Sequence, residues 1–259
     1  MADLSHLMKI AKYAALEAGK VVMEVYESGE FATEIKPGET PLTRADRASH
    51  EVITKHLYKT NLPVLSEEGI LIDFRERTTW EYFWLIDPLD GTKEFIHKNG
   101  EFTINIALVQ QNRPVAGVIY APCLDSLYMG SDETGVTKSK NGEQYKFAPL
   151  TVRRRFNDLL IKEHVSVVAS RSHLSDETKD FINQFHHVTL TSMGSSLKFM
   201  LLLENQADIY PRLGQTMEWD TAAAHAILNA SNRGVYNMDL KSELCYNKQE
   251  LTNPFFIAF

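Results

Sequence analysis

The chain has 259 residues, 44% of them hydrophobic, 10% aromatic and 24% charged, which suffices for a sizeable core without disulfides and excludes a disordered chain. Twenty-seven basic against 34 acidic side chains leave a formal charge of -7, which disfavours a grip on nucleic-acid polymers and makes a divalent cation the fitting counter-charge. The two cysteines, Cys123 and Cys245, form no Cys-x-x-Cys pair, and no apolar run nears the roughly 18 residues of a membrane span, so a cytoplasmic protein without transmembrane segment or secretory signal is expected.

From Leu4, the positions Leu7, Ala11, Ala14, Ala18, Val22 and Val25 trace one face of a helix predicted to stop near Gly29. A second helical pattern starts at Thr43, turns Ala45, Ala48, Val52, Ile53 and Leu57 inward, and ends before the Asn61-Leu62-Pro63 break. A strand-like segment from Pro63 to Ser66 and a charged loop from Ser66 to Arg77 follow. Tyr82 to Ile86 is a compact apolar strand running into the turn-rich hexapeptide Asp87-Pro88-Leu89-Asp90-Gly91-Thr92, after which Lys93 to Ile96 starts a short helix. Phe102 to Val109 and Pro114 to Tyr120 form a strand pair, Leu127 to Met129 extends it, and Asn141-Gly142 marks another turn. Beyond Arg153-Arg154-Arg155, read as a solvated linker, strands and helices alternate. Val165 to Ala169 is a strand, Ser195 to Glu204 a helix, Trp219 to Ala230 an alanine-rich helix, and Pro254 to Phe259 a final strand. An α/β (α+β) unit over residues 1–259 is expected, with two lobes meeting near residue 155: residues 1–155 and residues 156–259.

Asp87 and Asp90 stand at the C-terminal end of an apolar strand, where α/β folds place ligands, and two carboxylates plus the Leu89 carbonyl make a partial shell for a hard cation. Asp-Pro and Asp-Gly are also ordinary turn formers. Gly91 and Thr92 open the short helix, so their amides can face a phosphate, or Thr92 can serve only as a cap. Glu67 and Glu68 end another strand, where one can join the metal or both can be solvated surface. Asp46 either closes a capping box with Thr43 or accepts from the Thr92 hydroxyl, which could then orient and deprotonate a water. Asp220 is a helix N-cap or a further ligand. Nine histidines without His-x-x-x-His spacing argue against a zinc hydrolase.

Taken together, Lys36, Pro41-Leu42-Thr43-x-x-Asp46, Ser66-Glu67-Glu68, Trp84 to Thr92 and Trp219-Asp220-Thr221-Ala222-Ala223 resemble the inositol monophosphatase superfamily. Gly91 to Ile96, Asn99 to Thr103, Ser192 to Phe199 and Tyr210-Pro211-Arg212 are similar to its bisphosphate nucleotidase branch, nearly end to end. The resemblance implies an α/β/α/β/α layered sandwich and lithium-sensitive, Mg²⁺-dependent removal of the 3'-phosphate of 3'-phosphoadenosine 5'-phosphate, yielding AMP, within sulfate assimilation. It implies two or three Mg²⁺ per site on Glu67, the Asp87 and Asp90 carboxylates, the Leu89 carbonyl and Asp220, with Asp46 and Thr92 activating water and Glu67 beside them. It also implies phosphate on the Gly91 and Thr92 amides, and nucleotide against Ser172, His173, Gly194, Ser195, Lys198 and Arg212 of the second lobe. A small-molecule nucleotide is the expected partner, and the resemblance allows loose association with the cytoplasmic face of the inner membrane. An inositol or sugar phosphatase using the same metal centre is the nearest alternative. From another class comes a metal-dependent nucleotide sensor without turnover, against which the Asp46 and Thr92 pair argues.

Overall fold

The computed structural model describes residues 3–35, 41–169 and 175–259. Helix α1 (Leu4–Ser28) buries the face its spacing predicts, from Leu7 to Val25; Asp3 caps it by accepting from the His6 amide (3.1 Å), and Gly29 ends it at φ 71°. The short pair β1 (Glu34–Ile35) and β2 (Pro41–Leu42) leads to α2 (Arg44–Leu57) and then β3 (Val64–Ser66). The stretch expected as charged loop closes on one helical turn, α3 (Phe74–Arg77), because Asp73 caps it. After it come β4 (Tyr82–Asp90) and α4 (Thr92–Ile96). An antiparallel meander follows: β5 (Thr103–Gln110), β6 (Arg113–Ala121), β7 (Ser126–Ser131), β8 (Gly135–Lys140) and β9 (Glu143–Phe147). The turn between the last two is Asn141-Gly142, both at positive φ, as a tight hairpin requires.

The remaining elements are α5 (Phe156–Leu160), β10 (His164–Ala169), α6 (Asp176–Ile182), β11 (His187–Ser192), α7 (Leu197–Leu203), β12 (Tyr210–Arg212), α8 (Glu218–Asn229), β13 (Val235–Asn237) and β14 (Phe256–Ala258). The arginine run before them is solvated only in part, Arg155 keeping 78% of its side chain exposed and Arg154 only 20%. Arg153 pairs with Glu243, Arg154 lies 3.5 Å from Asp208, and Arg155 lies 3.5 Å from Asp158.

Strands β3 to β9 form one seven-stranded sheet in sequence order, with β3 parallel to β4 and the rest antiparallel. The two-residue period divides its side chains cleanly between two cores. Trp84, Ile86, Ile106 and Leu108 pack with α1 and α2 on one face, whereas Phe83, Leu85, Ala107 and Val109 pack with α7 and α8 on the other. Beyond α7 and α8 lie the small sheets β12-β14-β13 and β10-β11, and a third core joins these to Leu159 of α5 and Ile182 of α6. The layers are therefore α/β/α/β/α, as expected.

One contact sets the height of α8 above the sheet. Gly117 and Gly130 are cross-strand partners under the helix. A Cβ on Gly117 would stand 2.1 Å from the Ala223 carbonyl oxygen, and one on Gly130 would stand 3.0 Å from Ile227 Cα. With Ala222, Ala223 and Ala224 buried on its own side, the helix backbone rests nearly on the strands, and its first turn reaches the sheet end where β4 finishes.

Candidate active site

Strand β4 continues four residues past the expected Ile86, because the Asp-Pro-Leu-Asp stretch forms a bulge within the strand instead of leaving it. Asp87 pairs opposite Asn105 and Asp90 opposite Thr103, so three steps on β4 match two on β5. In a regular strand, residues three apart point to opposite faces. The extra residue returns Asp90 to the face of Asp87, and two carboxylates converge. Asp87 Oδ1 accepts from the Leu89 amide (3.0 Å), and the Pro88 carbonyl accepts from Ser49 Oγ (2.7 Å), which hold the bulge in shape. Ser196 donates its amide to Asp90 Oδ2 at 2.6 Å, and Asn105 Nδ2 donates to the same oxygen at 3.3 Å.

The register of β3 against β4 places Glu67, one residue beyond Ser66, beside Asp87, and the Glu67 amide donates to the Ile86 carbonyl (3.2 Å). Asp220 arrives from α8. It is the third residue of that helix, not its cap, because the helix begins one residue before Trp219, and its Oδ2 reaches back to accept from the Met217 amide (2.9 Å). Burial pushes the Asp87 carboxyl well above the usual carboxylate range, and the charges of Glu67, Asp90 and Asp220 push it further. Asp220 is raised in the same way, by burial and then by Asp90. Burial raises Asp90 too, opposed by Lys198 and by its hydrogen bonds from Ser196 and Asn105. The acids thus meet at Coulombic range. Among the described residues, no three acidic, histidine or cysteine side chains stand close enough together to hold a metal ion as they are placed. An all-oxygen set of mutually repelling, desolvated carboxylates is nonetheless the donor chemistry that fits a hard divalent cation.

Both readings of Asp46 hold at once. Its Oδ2 closes the capping box, accepting from the Thr43 amide (2.8 Å) and Thr43 Oγ1 (2.6 Å), while its Oδ1 accepts from Thr92 Oγ1 at 3.2 Å. The Thr92 hydroxyl also stands 3.3 Å from the Leu89 carbonyl. Gly91, the residue before α4, takes φ 92°, and a Cβ there would press on the Glu101 carbonyl at 3.2 Å and on Ser195 at 3.3 Å. Gly91 therefore lets the segments around Glu101 and Ser195 pack closely against the start of α4.

Asp90, Gly91, Ser195, Lys198, Arg212 and Asp220 line a cleft of about 150 Å³. Lys198 is 8% exposed, donates to the Met193 carbonyl (3.3 Å) and lies 5.7 Å from the Tyr210 ring centroid. Burial lowers its ammonium to about 8 despite the attraction of Asp90. Ser195 Oγ and Arg212 Nε are buried without a hydrogen-bond partner in the chain, whereas Arg212 Nη2 donates to the Gln215 carbonyl (3.0 Å). Gly194 does not line the cleft, and its amide is committed to Glu101 Oε2 at 2.7 Å. Lys36, Ser172 and His173 lie outside the described residues. The sequence reading missed Asn105, which shares Asp90 with Ser196 and also accepts from Ser196 Oγ (2.8 Å). No local signal marks an asparagine inside an apolar strand as a partner to an aspartate.

Residues 3–254 match the Inositol monophosphatase family. The chain belongs to that family. Enzymes of this family are metal-dependent phosphatases. Within the family, the sequence is 41% identical over 253 residues to the 3'(2'),5'-bisphosphate nucleotidase CysQ of Salmonella typhimurium, a match spanning 93% of this chain and 95% of that protein. The crystal structure of CysQ from Bacteroides thetaiotaomicron is 42% identical and superposes with a TM-score of 0.85, covering 99% of this chain and 97% of its own. The inositol monophosphatase of Anabaena (Nostoc), 24% identical with a TM-score of 0.73 over 99% of this chain and 91% of its own, shares the fold. Among the described residues, no helix is long and apolar enough to cross a membrane.

Proposed function

We propose that the chain is a cytoplasmic, Mg²⁺-dependent 3'(2'),5'-bisphosphate nucleotidase that hydrolyses 3'-phosphoadenosine 5'-phosphate to AMP and phosphate, serving sulfate assimilation. The observation that carries this reading is one cleft lined by both signs of charge, the carboxylates of Asp90 and Asp220, with buried Asp87 at Coulombic range of both, and the cations of Lys198 and Arg212. A substrate with two phosphate groups fits such a cleft, and the 41% identity to a bisphosphate nucleotidase supports the choice.

Glu67, Asp87, the Leu89 carbonyl, Asp90 and Asp220 would hold two or three Mg²⁺, which when bound activate water and neutralise charge in an in-line displacement. Thr92 and Asp46 handle the proton. With the Thr92 hydroxyl donating to Asp46 Oδ1, the Thr92 oxygen can accept from a water, and as that water attacks, its proton passes to Thr92 Oγ1 while the Thr92 proton passes to the Asp46 carboxylate. The Gly91 and Thr92 amides donate to the phosphate being removed. Phosphorus gains the water oxygen, its bond to the 3'-oxygen breaks, and AMP leaves, its 3'-oxygen taking a proton from solvent water to become a hydroxyl. At the other end, Lys198 and the unpartnered Arg212 Nε and Ser195 Oγ receive the 5'-phosphate, the guanidinium being suited to paired hydrogen bonds. They form the nucleotide side, and this reading takes residues 156–259 as the lobe that brings that side and Asp220.

Phosphate release from 3'-phosphoadenosine 5'-phosphate and from inositol 1-phosphate, measured side by side with Mg²⁺ and then with added Li⁺, tests the reading. The nucleotide is expected to be hydrolysed faster, with Li⁺ inhibiting. Preference for the inositol ester would overturn the substrate, and nucleotide binding without release would make the protein a sensor.

A further inference from the structure

Two buried charges lie behind the cleft, and the mechanism above uses neither. Glu218, the first residue of α8, is 0% exposed. Its carboxylate accepts from the Asn247 amide (2.6 Å), the Lys248 amide (3.0 Å) and Lys248 Nζ (2.5 Å). Arg77, the last residue of α3, is 2% exposed. It donates to the Ile72 carbonyl (3.1 Å), Asn247 Oδ1 (2.8 Å) and the carbonyls of Lys248 (3.0 Å) and Gln249 (3.3 Å). Asn247 returns a bond from Nδ2 to the Arg77 carbonyl (2.8 Å). The 247–248 segment is therefore gripped from both sides, by a cation and by an anion.

What the two grips hold is functionally asymmetric. Arg77 closes the loop that starts at Glu67 and, through the Ile72 carbonyl, pins the middle of that loop. Glu218 stands two residues before Asp220, on the turn of α8 that presents it. The strand end carrying Glu67 and the helix start carrying Asp220 come from distant parts of the chain, and the Arg77–Asn247–Glu218 bonds join them by a path that avoids the cleft. A displacement of either element would change the separation of acids that already repel each other, so something other than their own attraction has to fix that separation. On the reading of the cleft as a divalent-cation site, we propose that Arg77, Asn247 and Glu218 are a positioning relay that sets the spacing of Glu67 from Asp220 and thereby the affinity for the cation.

The relay touches neither substrate nor reacting atoms, so it should act on cation affinity and leave nucleotide affinity alone once cation saturates. Two variants of the full chain test this, Arg77→Lys, which keeps the charge but loses the planar fork, and Asn247→Gly. The second removes the two side-chain bonds between Asn247 and Arg77, one of them donated by the guanidinium, and suits the backbone, since Asn247 sits at φ 62°. Binding of Mn²⁺ to the protein without substrate is read by electron paramagnetic resonance, with thermal melting alongside. Supporting groups behind metal ligands typically contribute 10- to 100-fold, and Mn²⁺ binding weakened about tenfold is expected. Mg²⁺ for half-maximal phosphate release should rise in step, and the nucleotide KM at saturating Mg²⁺ should not move. Variants that melt lower yet bind Mn²⁺ like the parent would overturn the relay and leave the cleft reading standing. A parent chain that binds no Mn²⁺ would overturn both.

Discussion

The two halves of α8 handle buried charge in opposite ways. At its start, Asp220 faces Asp87 and Asp90 with burial and like charge driving the carboxyls upward. One and two turns further on, His225 and Asn229 meet Glu243, which also pairs with Arg153. Here burial alone would raise Glu243, but the hydrogen bond and charge of His225, with Arg153 and Asn229, outweigh it and bring the carboxyl down to about 2. The second cluster is internally satisfied and contributes to the fold; the first is only partly offset, by Lys198 and Arg212, and on the proposed reading an added cation matches the rest. Charges that stabilise a protein are matched within it, whereas charges that work on a substrate are left for the ligand to match.

The sharpest way to break this contrast is to neutralise one acid of the unmatched cluster. Asp90→Asn keeps an acceptor for the Ser196 amide and removes a charge. Phosphate release should fall on the order of 10²–10³-fold, the scale of losing one preorganised electrostatic group, while the melting temperature without Mg²⁺ holds or rises because repulsion is relieved. Unchanged turnover in a steady-state assay would remove Asp90 from the site. Next in size is the effect of the cation on the parent protein. Mg²⁺ at about a hundred times its dissociation constant should add about 2.7 kcal/mol, seen as a raised melting temperature that chelation reverses. Asp90→Asn should lose most of that gain, and a parent melting curve indifferent to Mg²⁺ would contradict the contrast itself.

Much of this was readable from the chain, and what was not shares one cause. The face of α1 and the Asn141-Gly142 hairpin follow from periodicity and turn chemistry, which are local. The capping contact of Asp46 was legible from its three-residue spacing to Thr43, whereas its contact with Thr92, 46 residues on, is offered only as an alternative. The bulge that turns Asp90 onto the face of Asp87 was not legible, since it is defined only against the partner strand. For Asp220 the sequence offers a helix cap or a further ligand, since Trp219 reads as the first apolar helical residue; one more residue of helix rules out the cap and moves it to the third position. Arg77 and Asn247, 170 residues apart, carry no joint sequence pattern at all.

The smallest expected effect is on the matched cluster, and it reverses the sign of the first. Glu243→Gln leaves His225 and Arg153 without their carboxylate. A fully buried broken pair costs about 3–5 kcal/mol, and because the Glu243 side chain keeps 19% exposure, about 2 kcal/mol is expected, with little change in turnover. Acid should do the same by degrees. Burial holds the His225 ring neutral, below its ordinary 6.5, so the unfolded chain binds a proton there that the folded chain refuses. That contribution is complete above about 6.5 and drains as pH falls below it; that of Glu243 is complete above about 4.5 and is lost as pH falls through about 2. Asp87 and Asp220 run the other way. Raised in the fold, they take up protons before the unfolded chain does, and without cation they regain stability as pH falls. Bound Mg²⁺ blocks that uptake. Melting temperatures followed from about pH 7 to pH 4 should therefore drop more steeply with Mg²⁺ than without it, and parallel curves would show that the two ends of α8 do not differ in the way their geometry requires.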